Sequence, residues 1–294
     1  MLKQISLLIL CAAAIVWFAT PVQACTSAVV SGKVTPDGRP LLWKNRDTDF
    51  MQNHIDYVKG EKYNFIAVVN SANAYLKEAW MGTNSSGFAL MNTQSYNLVD
   101  VKGDEERGAA NGRVIYRALE VCATVEDFCH FLDTISKPSD IEANFGVIDA
   151  QGGAAMFEVD YHKYVMYDAN NPKDAPYGYI ARTNFSFAGK VNEGAGYVRY
   201  MEADQVLMKA SATGSITPQF IFNDLSRSFR NRMLDIDLRS GAYNRPQASG
   251  WFVDQDFIPR SSTSCSVVVQ GVKPGEKAEL TTMWTLLGLS LIHI

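Results

Sequence analysis

Residues 22–47 read VQACTSAVVSGKVTPDGRPLLWKNRD, and the hairpin written in that stretch decides the fold. Thr26 to Ser31 is a run of small and β-branched residues, the composition of a strand. Thr35-Pro36-Asp37-Gly38 is a strong turn, with proline presetting φ at the second position and glycine at the fourth. Arg39 to Asn45 reads as the returning strand, which ends in Lys44-Asn45-Arg46-Asp47. Antiparallel pairing puts the end of the second strand beside the start of the first, so Cys25 and the Lys44–Asp47 segment are expected side by side.

Upstream of the hairpin the chain reads as a secretory signal peptide. Lys3 supplies the positive start, Leu7 to Ala19 the apolar centre, Pro21 the break and Val22-Gln23-Ala24 a small-x-small cleavage site. Cleavage by signal peptidase after Ala24 leaves Cys25 as the first mature residue, in a secreted or periplasmic protein. A thiol and a free α-amine then share one residue. A model thiol titrates near ~8.5 and a model α-amine near ~7.7–8.0, so the amine serves as the base for its own nucleophile. Val22-Gln23-Ala24-Cys25 also partly resembles a lipobox; lipid on Cys25 would block both groups. Gln23 and the missing leucine argue against it.

Leu289-Ser290-Leu291-Ile292-His293-Ile294 resembles a translated sequencing adapter, so residues 25–288 are read as one catalytic domain and 289–294 as a scar. Composition, 47% hydrophobic and 20% charged, is that of a globular protein, with a formal charge of −4. Removing the leader takes away Lys3 and no acid. No basic run points to nucleic acid, and no stretch is long enough to span a membrane. His54, His130, His162 and His293 lack metal-ligand spacing, so no metal and no cofactor is expected. Of the five cysteines, Cys11 leaves with the leader; Cys122 and Cys129 are open to a disulfide or to two buried thiols.

Further strands are expected over 64–70, 79–82, 87–93, 144–149, 154–160, 163–167, 177–182, 264–270 and 279–286. Helices are expected over 113–122, 125–135, 198–210 and 217–229, with Thr124 as an N-cap. Residues 101–112 and 239–261 read as loops. Tight hairpins between strand groups favour an α+β fold with antiparallel sheets over a doubly wound parallel one.

The Cys25-Thr26-Ser27 start, the Thr35–Gly38 turn and Asn45-Arg46-Asp47 resemble the N-terminus of the linear-amide Ntn hydrolases. That group includes choloylglycine hydrolases, penicillin V acylases, acid ceramidase and isopenicillin-N acyltransferases. Gly82-Thr83-Asn84-Ser85-Ser86-Gly87-Phe88, Arg182-Thr183-Asn184 and Thr282-Met283-Trp284-Thr285 resemble three further segments of it. The resemblance implies a four-layer αββα sandwich and a cysteine amidohydrolase cleaving a small-molecule linear amide through an acyl-thioester. It implies Cys25 as nucleophile and base, Asp47 as the group that bonds and orients its thiol or amine, and an oxyanion hole from the Asn184 side-chain amide and the Asn84 backbone N–H. Lys44, Arg46, Arg199 and Arg260 become candidate substrate contacts.

There are departures. Bile-salt hydrolases and acid ceramidase carry arginine where this chain has Lys44, which weakens a bile-salt reading. The family's second arginine is either Arg199 or Arg260. Asn84 and Asn184 also lie in Asn-x-Ser sequons, a glycosylation signal in a eukaryotic secretory protein. An acyltransferase shares the intermediate, a non-catalytic secreted or lipid-anchored binding protein is the rival from another class, and a homo-oligomer is compatible with the sequence.

Overall fold

The computed structural model describes residues 24–99, 108–240 and 254–288. Its hairpin joins β1 (Thr26–Val30) to β2 (Leu41–Asp47), with Thr26 opposite Asn45 and Val30 opposite Leu41. At the turn Gly38 adopts φ 75°, a left-handed conformation that favours glycine, and its N–H donates to the Thr35 carbonyl at 3.3 Å.

The hairpin is the centre of a five-stranded sheet. β10 (Tyr179–Arg182) pairs with β1, β11 (Thr263–Gln270) pairs with β2, and β12 (Thr282–Leu287) closes the edge, all antiparallel. The second sheet runs in chain order through β3 (Asn53–Val58), β4 (Phe65–Asn70), β5 (Met81–Asn84), β6 (Ala89–Gln94), β7 (Ala143–Ile148), β8 (Ala154–Val159) and β9 (Tyr164–Asp168). Its seven strands are all antiparallel.

Three buried clusters define four layers. Helices α1 (Asn111–Val121) and α2 (Val125–Thr134) pack Ile115, Leu119, Phe128 and Leu132 on the outer face of the seven-stranded sheet. Val29, Leu42, Met91 and Val267 fill the space between the sheets. Helix α3 (Tyr197–Ala212) lays Ala203 and Leu207 over Trp43 and Val268 on the outer face of the five-stranded sheet. This is the expected αββα sandwich, with both sheets antiparallel. The sheets approach closely at Gly146, where an added Cβ would collide with the Met91 side chain and sit 2.8 Å from Val29.

Local signals hold where they are strong. Thr124 caps α2 in a reciprocal capping box with Asp127. The helix expected over 217–229 is shorter: Pro218–Phe220 runs into one wide turn, Ile221–Leu225, and stops. There Ser226 turns inward, its hydroxyl accepting from the Trp43 indole at 2.8 Å and meeting Ser266 at 3.0 Å. These tertiary bonds outweigh continued helical periodicity. Strand β3 is absent from the sequence reading because its side chains are half-buried or exposed and show no apolar alternation. Cys122 and Cys129 are free thiols, Cys122 within the outer core and Cys129 3.9 Å from the Met166 sulfur. Apart from Ala24, the expected leader lies outside the described residues, as do 101–107 of the first loop, 241–253 of the second and the string 289–294.

Candidate active site

Strand β2 sorts the site by alternation. Trp43, Asn45 and Asp47 face the helical side: Trp43 and Asn45 both reach Ser226, and Asp47 reaches Arg260. Leu42, Lys44 and Arg46 face the space between the sheets, where Lys44 and Arg46 reach groups of the second sheet and of the Trp80 segment leading into it. Cys25 stands just before β1 at the edge where the two sets meet. Its Sγ lies 4.0 Å from the Asp47 carbonyl oxygen, and its backbone N–H donates to Asn184 Oδ1 at 3.0 Å. The Ala24–Cys25 peptide is itself buried, at 2% and 8% exposure.

The Asp47 carboxylate is fully engaged elsewhere. Oδ2 accepts from Arg260 Nε at 2.9 Å and Nη2 at 2.7 Å, and Oδ1 accepts from the Thr263 hydroxyl at 2.6 Å. Burial pushes this carboxyl up, while the Arg260 and Arg199 guanidiniums and the Thr263 hydroxyl pull it back. In the uncleaved chain the Asp47 carboxylate therefore bonds neither the Cys25 thiol nor its nitrogen. Its carboxylate points to the helical face, and Arg260 is the intermediary, with Nη2 also donating to the Ala24 carbonyl at 3.1 Å.

Arg199, in the first turn of α3, closes the other side. Nη1 donates to the Cys25 carbonyl at 2.6 Å and to Thr26 Oγ1 at 2.9 Å, while Nη2 donates to Asn184 Oδ1 at 2.8 Å. Burial lowers this guanidinium to about 9, with Arg260 as the next cause. Gly196 caps the helix at φ 85°, a conformation that favours glycine, and a Cβ there would collide with Arg199 Nη2 where the guanidinium now stands. Asn184 Nδ2 donates to the Gln94 carbonyl at 2.8 Å, which fixes the side chain beside Cys25.

Asn84 is not brought to the site. Its backbone N–H donates to the Phe88 carbonyl at 2.9 Å, and Nδ2 donates to the Leu119 and Cys122 carbonyls at the end of α1. It closes the β5–β6 turn and ties it to the helix. Lys44 touches Trp80, at the opposite end of the strand, roughly 13 Å away at the usual rise per residue. The Asn84 N–H expected at the oxyanion is held in this structure by the Phe88 carbonyl.

The remaining candidates converge. Lys44 Nζ donates to the Trp80 carbonyl at 3.1 Å and to Asn92 Oδ1 at 2.9 Å. Burial lowers its ammonium to about 8 despite the nearby Cys25. Arg46 bonds Asn53 Oδ1 and, at 2.8 Å, Asn70 Oδ1; its guanidinium lies 4.7 Å from the Trp80 ring centre. Thr263, Gln94 and Asn92 were not singled out in the sequence. Thr263 alone left a trace, three positions after Arg260 at the start of an expected strand.

A surface cavity of about 560 Å³, lined by Thr124, Asp149, Met166 and Asp168, lies away from this cluster. Among the described residues no group of three or more His, Cys, Asp or Glu side chains is arranged to hold a metal, and no helix is long and apolar enough to cross a membrane.

The model of the family described as acyl-coenzyme A:6-aminopenicillanic acid acyl-transferase matches residues 34–212. Among solved structures, an N-acylethanolamine-hydrolyzing acid amidase ortholog from Caenorhabditis elegans superposes with a TM-score of 0.51 at 14% identity, covering 89% of this chain and 100% of that one. A conjugated bile acid hydrolase variant from Clostridium perfringens gives 0.46 at 14% identity, over 89% and 96%. Penicillin V acylase from Agrobacterium tumefaciens gives 0.44 at 16% identity, over 90% and 82%. No curated protein sequence matches the chain.

Proposed function

Since the chain belongs to the acyl-coenzyme A:6-aminopenicillanic acid acyl-transferase family, within the Ntn-hydrolase group, we propose that it is an N-terminal-cysteine amidohydrolase acting on linear N-acyl amides. The observation that carries the reading is convergence. Asp47, Asn184, Arg199 and Arg260 come from four separate segments, and each is either within one hydrogen bond of the Ala24–Cys25 peptide or in direct contact with Cys25. Three buried polar side chains around one backbone position, with Asp47 holding one of them, are costly to assemble unless that position has a use.

The chemistry follows once cleavage after Ala24 frees the Cys25 amine. The Cys25 α-amine takes the thiol proton, and the thiolate attacks the amide carbonyl carbon. The resulting oxyanion is assigned to the Asn184 side-chain amide, which in the uncleaved chain turns Oδ1 to Cys25 and Nδ2 to the Gln94 carbonyl, so Nδ2 has to turn toward the site to donate; one such donor is worth roughly 3 kcal/mol of barrier in proteases. The carbon–nitrogen bond breaks, the proton goes to the leaving amine, and a thioester remains on Sγ. Water adds to the thioester, the acid leaves and the thiol is restored. An amine in place of water makes the same enzyme an acyltransferase, the activity in the family's description.

The Ala24–Cys25 bond is buried in the folded chain, so in this reading signal peptidase cuts it during export, before folding. Two measurements test the proposal. N-terminal sequencing and intact mass of the exported protein should give a chain starting at unmodified Cys25; a lipid increment on Cys25 would sink the catalytic reading. An activated acyl amide should leave its acyl mass on Cys25, and Cys25→Ala should abolish that adduct; undiminished labelling of the variant would refute the nucleophile.

A further inference from the structure

Asn144, near the start of β7, turns its side chain into the space between the sheets and is fully buried. It stands opposite Thr93 on β6 and Glu158 on β8, so three buried polar residues form one row across three strands. Further along those strands the same layer is filled by Met91, Ile148 and Met156. A polar row in such a layer is costly unless each group finds a partner there. Most partners of Asn144 come from the segment that follows β10 in the other sheet. Its Nδ2 donates to the Thr183 and Phe185 carbonyls, each at 3.2 Å, and to Thr93 Oγ1 at 3.0 Å. Its Oδ1 accepts from the Ser186 hydroxyl at 2.6 Å. Carbonyls only accept, so the amide has one orientation. The two carbonyls flank Asn184, whose own carbonyl accepts from the Ala195 N–H at 3.1 Å. Three successive carbonyls are thus held, two of them by one side chain from the opposite sheet.

We infer that Asn144 is a positioning residue for the reaction at Cys25, acting through Asn184 by fixing the backbone from which the Asn184 amide turns to the oxyanion. This rests on the amidohydrolase reading and adds to it the group that registers the oxyanion donor of one sheet against the other. Glu158, next in the row, holds the same segment further out, at Arg182, Phe187 and Ala188; Asn144 grips the two residues that adjoin Asn184. The distinction matters because a donor serves the transition state only at hydrogen-bond distance from the developing charge, and a misplacement of about 1 Å costs on the order of a hundredfold in rate.

The test is a double-mutant cycle on the exported protein with a neutral acyl para-nitroanilide, reading the acylation rate constant and the dissociation constant separately from the release of para-nitroaniline. Asn144→Asp keeps the shape and the acceptor for Ser186 but takes the amide hydrogens away from both carbonyls. Its acylation rate constant should fall by about tenfold or more, with the dissociation constant changed by less than about twofold. In the Asn184→Ala background the same substitution should alter acylation by less than about twofold, because the group it positions is gone. A general loosening of the fold would lower acylation alike in both backgrounds. Asn144→Leu reads the same cycle should Asn144→Asp fail to fold. Wild-type acylation in a folded Asn144 variant, or an equal loss with and without Asn184, overturns the positioning role and leaves the amidohydrolase reading intact. Absence of any acyl adduct on wild-type Cys25 removes that reading and the positioning role with it.

Discussion

At the scale of single residues, Asp47 shows how a side chain acts on a nucleophile that it does not touch. Its carboxylate fixes Arg260, which in the uncleaved chain donates to the Ala24 carbonyl; once cleavage removes Ala24, Asp47 acts by holding that guanidinium at the new N-terminus. Asp47→Asn keeps the shape but exchanges a charge-assisted pair for a neutral one and leaves a buried guanidinium without its counter-ion. In the proposed enzyme kcat should fall on the order of a hundredfold, with KM changed far less, because the loss is in orientation rather than in substrate contact. Wild-type kcat in a folded Asp47→Asn protein would remove Asp47 from the machinery.

At the scale of elements, the segment that follows β10 presents Asn184, and it is held from below. Glu158 in β8 is fully buried; Oε1 accepts from Arg182 Nε at 2.7 Å and from the Phe187 N–H at 2.8 Å, and Oε2 accepts from the Ala188 N–H at 2.7 Å. One carboxylate thus pins both sides of the Asn184 position. Glu158→Gln breaks a buried pair at one partner, a change that costs roughly 3 kcal/mol. Urea unfolding should show that loss, and acyl-enzyme formation at Cys25 should slow with it as Asn184 loses its fixed place. A stability loss with an unchanged acylation rate would show that the loop holds Asn184 by other means.

At the scale of the molecule, the sandwich encloses a charge. Lys44 lies between two sheets, beside Arg46, Asn92 and Trp80 in a layer whose apolar part is mainly aliphatic and methionine side chains, and burial depresses its ammonium from 10.5 to about 8. The folded state therefore holds this proton more weakly than the unfolded chain. Below about pH 8 the penalty for burying the charge is present in full; between about 8 and 10.5 the unfolded chain binds more protons, so stability rises with pH. The unfolding free energy of the wild type relative to Lys44→Met should increase by on the order of 3 kcal/mol between pH 7 and 10.5. A difference that stays flat over that range would show that Lys44 is solvated in the folded protein.

The hairpin from Thr26 to Asp47 was legible because turn chemistry and β-branched runs act locally, and strand pairing then fixes who stands opposite whom. The same local rules gave the α+β class, most strand positions and the Thr124 cap, and motif resemblance gave the αββα layering. Lys44, Arg46, Asn184, Arg199 and Arg260 were legible as candidates but not as a constellation. Arg199 and Arg260 are equivalent on paper; only packing gives Arg260 to Asp47 and Arg199 to the Cys25 carbonyl. Asn84 and Asn184 sit in similar motifs, yet one ties a turn to a helix and the other meets the nucleophile, since they belong to different layers. Sequence by itself determined which chemical groups the strands carry and which faces they share. Tertiary structure alone decided which of those groups are partnered, because a hydrogen bond or an unpaired charge depends on what the opposite layer brings to within about 3 Å.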